Sequence, residues 1–128
     1  MKRLPPKPTA SELEILRVLW NRGPSTVREV LESLNEKKNL GYTGVLKLLQ
    51  IMTEKGLVER DEDVRPQVYR PKYSKTQTQR QLLKDLTHRA FGGSVKALVL
   101  QALATKKSTP EELEAIEKLL DRIEGERK

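Results

Sequence analysis

"GYTGVLKLLQIMTEKGLVERD", residues 41–61, decides how this chain folds. Val45, Leu48, Leu49 and Met52 recur at the i, i+3, i+4, i+7 spacing of a helical stripe bound for a core. Thr43 is placed to cap this helix, which should run over about residues 43–55, and Gly56 to stop it, because glycine takes the left-handed conformation at least cost. The other face carries Tyr42, Thr43, Gly44, Lys47 and Gln50, which are polar, small or basic and which no core requires. Beyond Gly56 the period falls from 3.6 to 2. Leu57 to Asp61 and Gln67 to Tyr73 then read as two strands joined by "EDVRP", a hairpin over about residues 57–73.

Upstream, Thr9-Ala10-Ser11-Glu12 and Thr26-Val27-Arg28-Glu29 both have capping-box spacing, in which a threonine hydroxyl and a glutamate satisfy first-turn amides reciprocally. The first predicts a helix to about Asn21 that buries Leu13, Leu16 and Trp20 with Ile15 and Leu19. Gly23-Pro24 then forces a turn. The second predicts a helix that buries Val27, Val30, Leu31 and Leu34 and frays into "NEKKNLG". Three helices and a hairpin within residues 9–75 outline a winged helix-turn-helix. Residues 1–8, with three prolines, read as a disordered arm. Residues 76–128 return to helices: "TQTQRQLLKDLTHRAF", a break at Phe91-Gly92-Gly93, "SVKALVLQALA", and "TPEELEAIEKLLDRIEG", opened by a cap residue, a proline and two acids. The expected fold is mainly α with a small β-hairpin.

In the last segment Leu98, Val99, Leu103, Leu113, Ile116, Leu119, Leu120 and Ile123 are apolar at helical spacing. So few residues seldom sustain a core alone. A dimer with intertwined C-terminal helices would bury them, and the alternative is an intramolecular platform for the winged helix.

The chain is 128 residues long, with 25 Lys and Arg against 18 Asp and Glu, a net charge of +7. This favours an anionic partner, nucleic acid first and a membrane surface second. The excess lies in residues 1–75, with 15 basic and 10 acidic side chains, against 10 and 8 in residues 76–128. Arg65, Arg70, Lys72 and Lys75 share a stretch without acids, consistent with a wing that touches phosphates, although exposed strands also carry Lys and Arg to block edge pairing. With no cysteine, disulfides, thiolate zinc and thiol switches are excluded, and a cytoplasmic location fits. No apolar run reaches the length of a spanning helix, so no membrane insertion is expected. The single His88 lacks a second ligand at metal spacing, Gly92-Gly93 lies between helices, and Ser94 has no nucleophile-elbow context. The sequence therefore predicts no cofactor, no metal and no enzymatic activity.

The runs "TASELEILRVLW", "YTGVLKLLQIMTEKGLVER" and "VYRPKYS", and above all "FGGSVKALVLQALATKKSTPEELEAIEKLLDRI", resemble the penicillinase-repressor (BlaI/MecI/CopY) family of bacterial transcription repressors from Thr9 to Ile123. The resemblance implies a homodimer on a palindromic double-stranded DNA operator, with the third helix in the major groove and the C-terminal helices dimerising. Tyr42, Thr43 and Gln50 match the family's reading helix. Gly44, Lys47 and Ile51 depart from its Thr, Thr and Arg, so Lys47 stands as a replacement basic contact and Gly44 as a close backbone approach or a weak point in the helix. The resemblance also implies induction by a membrane sensor and protease that cut after the "LVL" run. The corresponding candidate cleavage position, Gln101-Ala102, lacks the family's Asn-Phe pair, and the absence of Cys argues against copper sensing. A winged-helix protein-interaction or RNA-binding module is the alternative, because fold alone does not fix function.

Overall fold

Two reciprocal caps start the helices that carry the core. The structure is a computed structural model that describes residues 6–35, 40–105 and 109–126, and of residues 120 and 123–126 the backbone alone. Helix α1 (Ala10–Arg22) opens with the Glu12 amide donating to Thr9 Oγ1 at 3.2 Å and the Thr9 amide donating to Glu12 Oε1 at 2.8 Å. Helix α2 (Val27–Leu34) repeats the device with Thr26 and Glu29 at 3.2 and 2.9 Å. Between them Gly23, at φ +92°, turns the chain while its amide bonds Leu19 O at 2.8 Å.

Helix α3 (Tyr42–Lys55) starts one residue earlier than expected. Gly41 occupies the extended N-cap position and no side chain caps the helix, so Thr43 is a first-turn helical residue with an exposed side chain and not the cap. Gly56 stops the helix at φ +81°, as its position predicts.

The expected hairpin forms and gains a third strand. Strands β2 (Val58–Asp61) and β3 (Val68–Pro71) pair antiparallel, and a short strand β1 (Ser25–Thr26) adds to the other side of β3, giving the order β1-β3-β2. Ser25 faces Tyr69 and Thr26 faces Val68. A two-residue strand has no periodicity to read, and its pairing exists only because the turn at Gly23 delivers it to an open edge.

The core joins Ile15, Leu16 and Leu19 of α1, Val27, Val30 and Leu34 of α2, Val45, Leu49 and Met52 of α3, and Leu57, Val58 and Tyr69 at the sheet. Leu13, Trp20, Leu31 and Leu48 are partly buried against it. Trp20 earns its half-buried place by donating its indole N–H to Tyr73 O at 3.2 Å.

Helix α4 (Lys75–Phe91) opens with a reciprocal cap between Ser74 and Gln77, at 2.9 and 3.1 Å, and ends where Gly92 and Gly93 take φ +58° and +87°. Its last turn holds His88. Helices α5 (Val95–Thr105) and α6 (Pro110–Glu126) follow, capped by Ser94 and Thr109, whose hydroxyls each accept an amide at 3.1 Å. The chain divides into two compact units, residues 1–85 and 86–128, and the division falls inside α4. Of the arm expected over residues 1–8, residues 1–5 lie outside the described residues. Pro8 is buried, and Lys7 Nζ lies 2.9 Å from Asp85 Oδ2. No helix among the described residues is long and apolar enough to cross a membrane.

One ion pair ties the start of α1 to the end of α3: Lys55 Nζ lies 2.7 Å from Glu12 Oε1, which also accepts the Thr9 amide. Burial pushes the Glu12 carboxyl up, but the Lys55 and Thr9 hydrogen bonds outweigh it and hold the carboxyl below its ordinary value of 4.5. A depressed folded value means that Glu12 stabilises the fold above the unfolded value and that this contribution is lost as pH falls through the folded one. Glu12→Gln should lower unfolding free energy by about 1–2 kcal/mol at pH 7. It should also flatten the loss of stability below about pH 4.5, as read by urea titrations at pH 7 and pH 3.5.

Candidate nucleic-acid interface

Once Val45, Leu49 and Met52 face inward, helical spacing puts Thr43, Lys47 and Gln50 at i, i+4, i+7 along the outer ridge of α3. All three are exposed. Gly44 and Ile51 flank the ridge on one side and Tyr42 and Leu46 on the other. Glu54 continues the ridge toward the C-terminus, so an anion is accepted along the first three turns and repelled at the last.

Tyr42 is 45% exposed, and the guanidinium of Arg28, from the first turn of α2, lies 5.7 Å from its ring centroid. A cleft of about 340 Å³ opens beside this pair, lined among others by Val27 and Leu46 and by Pro66, Gln67 and Tyr69 of the wing. The start of α2, the first half of α3 and the tip of the hairpin therefore meet on one surface. Arg65, next to Pro66, is exposed at that tip.

The remaining wing cations stand apart. Arg70 faces Glu59 in the register, with Nε 3.9 Å from Glu59 Oε1, so its charge is partly balanced across the strands. Lys72 sits at the base of the hairpin, where its amide bonds Leu57 O at 3.0 Å and its ammonium lies 5.8 Å from the Tyr73 ring centroid. Its Nζ would lie 3.9 Å from a Cβ added at Gly56, the C-terminal end of α3. That is roughly 20 Å along the helix from Tyr42. The structure groups Tyr42, Thr43, Gly44, Lys47, Gln50 and Arg65, and separates Lys72 from them.

Arg28 escaped the sequence reading. The signal was available: a cation in the first turn of a helix opposes the helix dipole, so Arg28 does not serve the stability of α2. The wing is also less positive than its run of residues suggests, because the acids lie in the turn before it. Arg60 pairs with Glu62 at 2.6 Å, and that hydrogen bond is the main cause that raises the Arg60 guanidinium above its ordinary value.

In the second unit, Leu98, Val99, Leu103 and Ile116 are half-buried, while Leu113 and Leu119 are 44% and 52% exposed. The side chains of Leu120 and Ile123 lie outside the described residues. Val95 and Leu100, which periodicity left out, are among the most exposed apolar residues, and Leu83 and Leu86 of α4 are also exposed. Gln101 and Ala102 are exposed within helical α5. Among the described residues no group of His, Asp or Glu is arranged to hold a metal ion.

The model of the penicillinase repressor family matches residues 8–122. The chain is 30% identical over 116 residues to the transcriptional regulator BlaI of Mycobacterium tuberculosis, covering 89% of this chain and 83% of that one. It is 22% identical over 128 residues to the penicillinase repressor of Bacillus licheniformis, covering 100% and 99%. The solution structure of the monomeric form of Bacillus licheniformis BlaI in complex with the blaP half-operator superposes with a TM-score of 0.51 at 23% identity, over 60% of this chain and 93% of that one. A MarR family protein from Bacillus stearothermophilus gives 0.51 at 20% identity, over 94% and 75%. These two structural likenesses concern the fold.

A Cβ added at Gly44 meets nothing within 4 Å, and the residue lies inside a helix at negative φ. Gly44→Ala should therefore stabilise the free protein by about 0.5–1 kcal/mol, as measured by denaturant unfolding.

Proposed function

The chain belongs to the penicillinase repressor family, and from that premise we propose that it is a transcriptional repressor that binds double-stranded DNA as a homodimer on a two-fold symmetric operator. The observation that carries the reading is the single exposed surface on which the ridge of α3, the start of α2 and the wing tip meet. Nothing in the core requires Thr43, Lys47, Gln50 or Arg65 to be there. In this reading α3 enters the major groove by its N-terminal half, where Thr43 and Gln50 offer hydrogen bonds to base edges and Ile51 an apolar contact to a thymine methyl. Lys47 and Arg65 neutralise phosphates, and Gly44 lets the backbone approach. Arg70 serves as a weaker backbone contact because Glu59 shares it, and Lys72 stabilises the end of α3.

The exposed apolar side chains of α5 and α6 supply the dimer. No residue of α5 is fully buried within its own chain. Covering Leu98, Val99, Leu103, Leu113, Ile116 and Leu119 with a second copy contributes about 1.5–3 kcal/mol per fully buried side chain before ordering costs. Val95 and Leu100 extend that surface. Each subunit brings one reading helix, so two half-sites about one helical turn apart, or a small multiple, accept the pair.

Lys47→Ala and Arg65→Ala should each weaken operator binding about 5- to 20-fold in low salt and, because each removes one phosphate contact from both subunits, lower the slope of log affinity against log salt by about two. Filter binding or fluorescence anisotropy across a salt series reads both effects, and unchanged affinity in both variants would remove this docking. Truncation after Gln101 should yield a fragment that sediments as a monomer and loses about 100-fold or more in affinity for a full operator, because the second half-site is no longer tethered. A fragment that stayed a tight dimer would place the interface elsewhere.

A further inference from the structure

The Arg28–Tyr42 pair invites a question that DNA binding in general does not answer. Arg28 is exposed on the first turn of α2, where its charge opposes the helix dipole, and its guanidinium lies over the face of an aromatic ring on the next helix. Tyr42 borders the 340 Å³ cleft walled by Val27, Leu46, Pro66 and Tyr69. Thr26, Arg28, Glu29, Glu32 and Gln67 line the same cleft, so its wall is part apolar and part polar. An exposed tyrosine beside it has two places to go: outward into solvent, or inward against Val27, Leu46 and Pro66, where its ring would lose water contact.

We propose that Arg28 is a specificity-determining positioning residue: by stacking on Tyr42 it holds the ring out of the cleft, in the attitude from which Tyr42 meets the base edges of the operator. The inference rests on the DNA-reading role of α3. It differs from a phosphate contact in a way that can be measured. A cation that only meets phosphate acts on all sequences alike, whereas a residue that orients a base-reading side chain acts on the base pair read. Stacking also needs the planar guanidinium. An ammonium keeps the charge and meets phosphate as a point charge, but it stacks poorly.

The full chain, Arg28→Ala, Arg28→Lys, Tyr42→Leu and the Arg28→Ala/Tyr42→Leu double variant are each equilibrated with a pool of random duplexes, and the bound fraction is sequenced. The best duplex is then titrated with all five, and thermal melts verify folding. Arg28→Ala is expected to flatten base preference at the same pairs that Tyr42→Leu flattens. The double variant should bind no worse than the weaker single variant, a coupling of about fivefold. Arg28→Lys should keep the salt slope of the parent and still lose the preference.

The inference is overturned if Arg28→Ala lowers affinity evenly for all duplexes, adds to Tyr42→Leu without coupling, and is restored by Arg28→Lys. Arg28 is then a phosphate contact only, while the operator reading stands. A parent chain that selects no duplex from the pool removes both.

Discussion

What this chain presents to a duplex depends on the burial of one helical stripe. Val45, Leu49 and Met52 are each at most 1% exposed, and together they fix the rotation of α3 about its own axis. A slip of one residue in that stripe would turn the helix by about 100° and carry Lys47 toward the core. The cost of burying an unpaired ammonium forbids it. The ridge of Thr43, Lys47 and Gln50 is thus held outward by residues that never touch DNA. The C-terminal end of α3 is secured twice, by the left-handed Gly56 and by the Lys55–Glu12 pair, which joins the last turn of α3 to the first of α1.

Electrostatics then narrows this ridge to its first half. Glu54 closes it at one end, Glu59 shares Arg70, and Glu62 holds Arg60 beside the wing tip. Among the described residues, positive charge is left unpaired at Lys47 on the outer ridge of α3 and at Arg65 on the wing tip. A net charge of +7 steers the chain toward any polyanion. The placement of acids decides which part of the surface arrives first.

Most of this was legible where the signal is local. Capping boxes at Thr9 and Thr26, the stop at Gly56 and the double break at Gly92-Gly93 depend on residues within a few positions of each other, and each stands where the sequence puts it. Strand β1 was not legible, since two residues pair with β3 only after the turn at Gly23 brings them there. Thr43 has the chemistry of a cap, yet Gly41 takes the extended position before it and leaves Thr43 on the exposed outer ridge of α3. The wing cations looked like one cluster along the chain. Register separates them, because Arg70 acquires Glu59 across the strands and Lys72 falls at the base. Arg28 belongs with Tyr42 only through the packing of α2 on α3, and no spacing within either helix announces that contact.

The two units divide the physical work unequally. Among the described residues every member of the buried core lies between Ile15 and Tyr69, so the winged helix completes its core from its own stripes. The second unit keeps large apolar side chains in water, at Val95, Leu100, Leu113 and Leu119. In the proposed dimer, an event that uncovers those side chains leaves α3 and the wing tip unchanged and acts only on the effective concentration of the second half-site, where a tether is worth about 100- to 10,000-fold. Control of such a molecule is therefore most economical in α5 and α6. Cleavage at the candidate position Gln101-Ala102 would meet a constraint: the bond is exposed but helical, and a protease takes an extended segment, so α5 would first have to open locally. A helix without a fully buried residue opens more readily than one anchored like α3. In the proposed dimer, the same weakness that makes the second unit depend on a partner thus makes it the place where that partnership would be released.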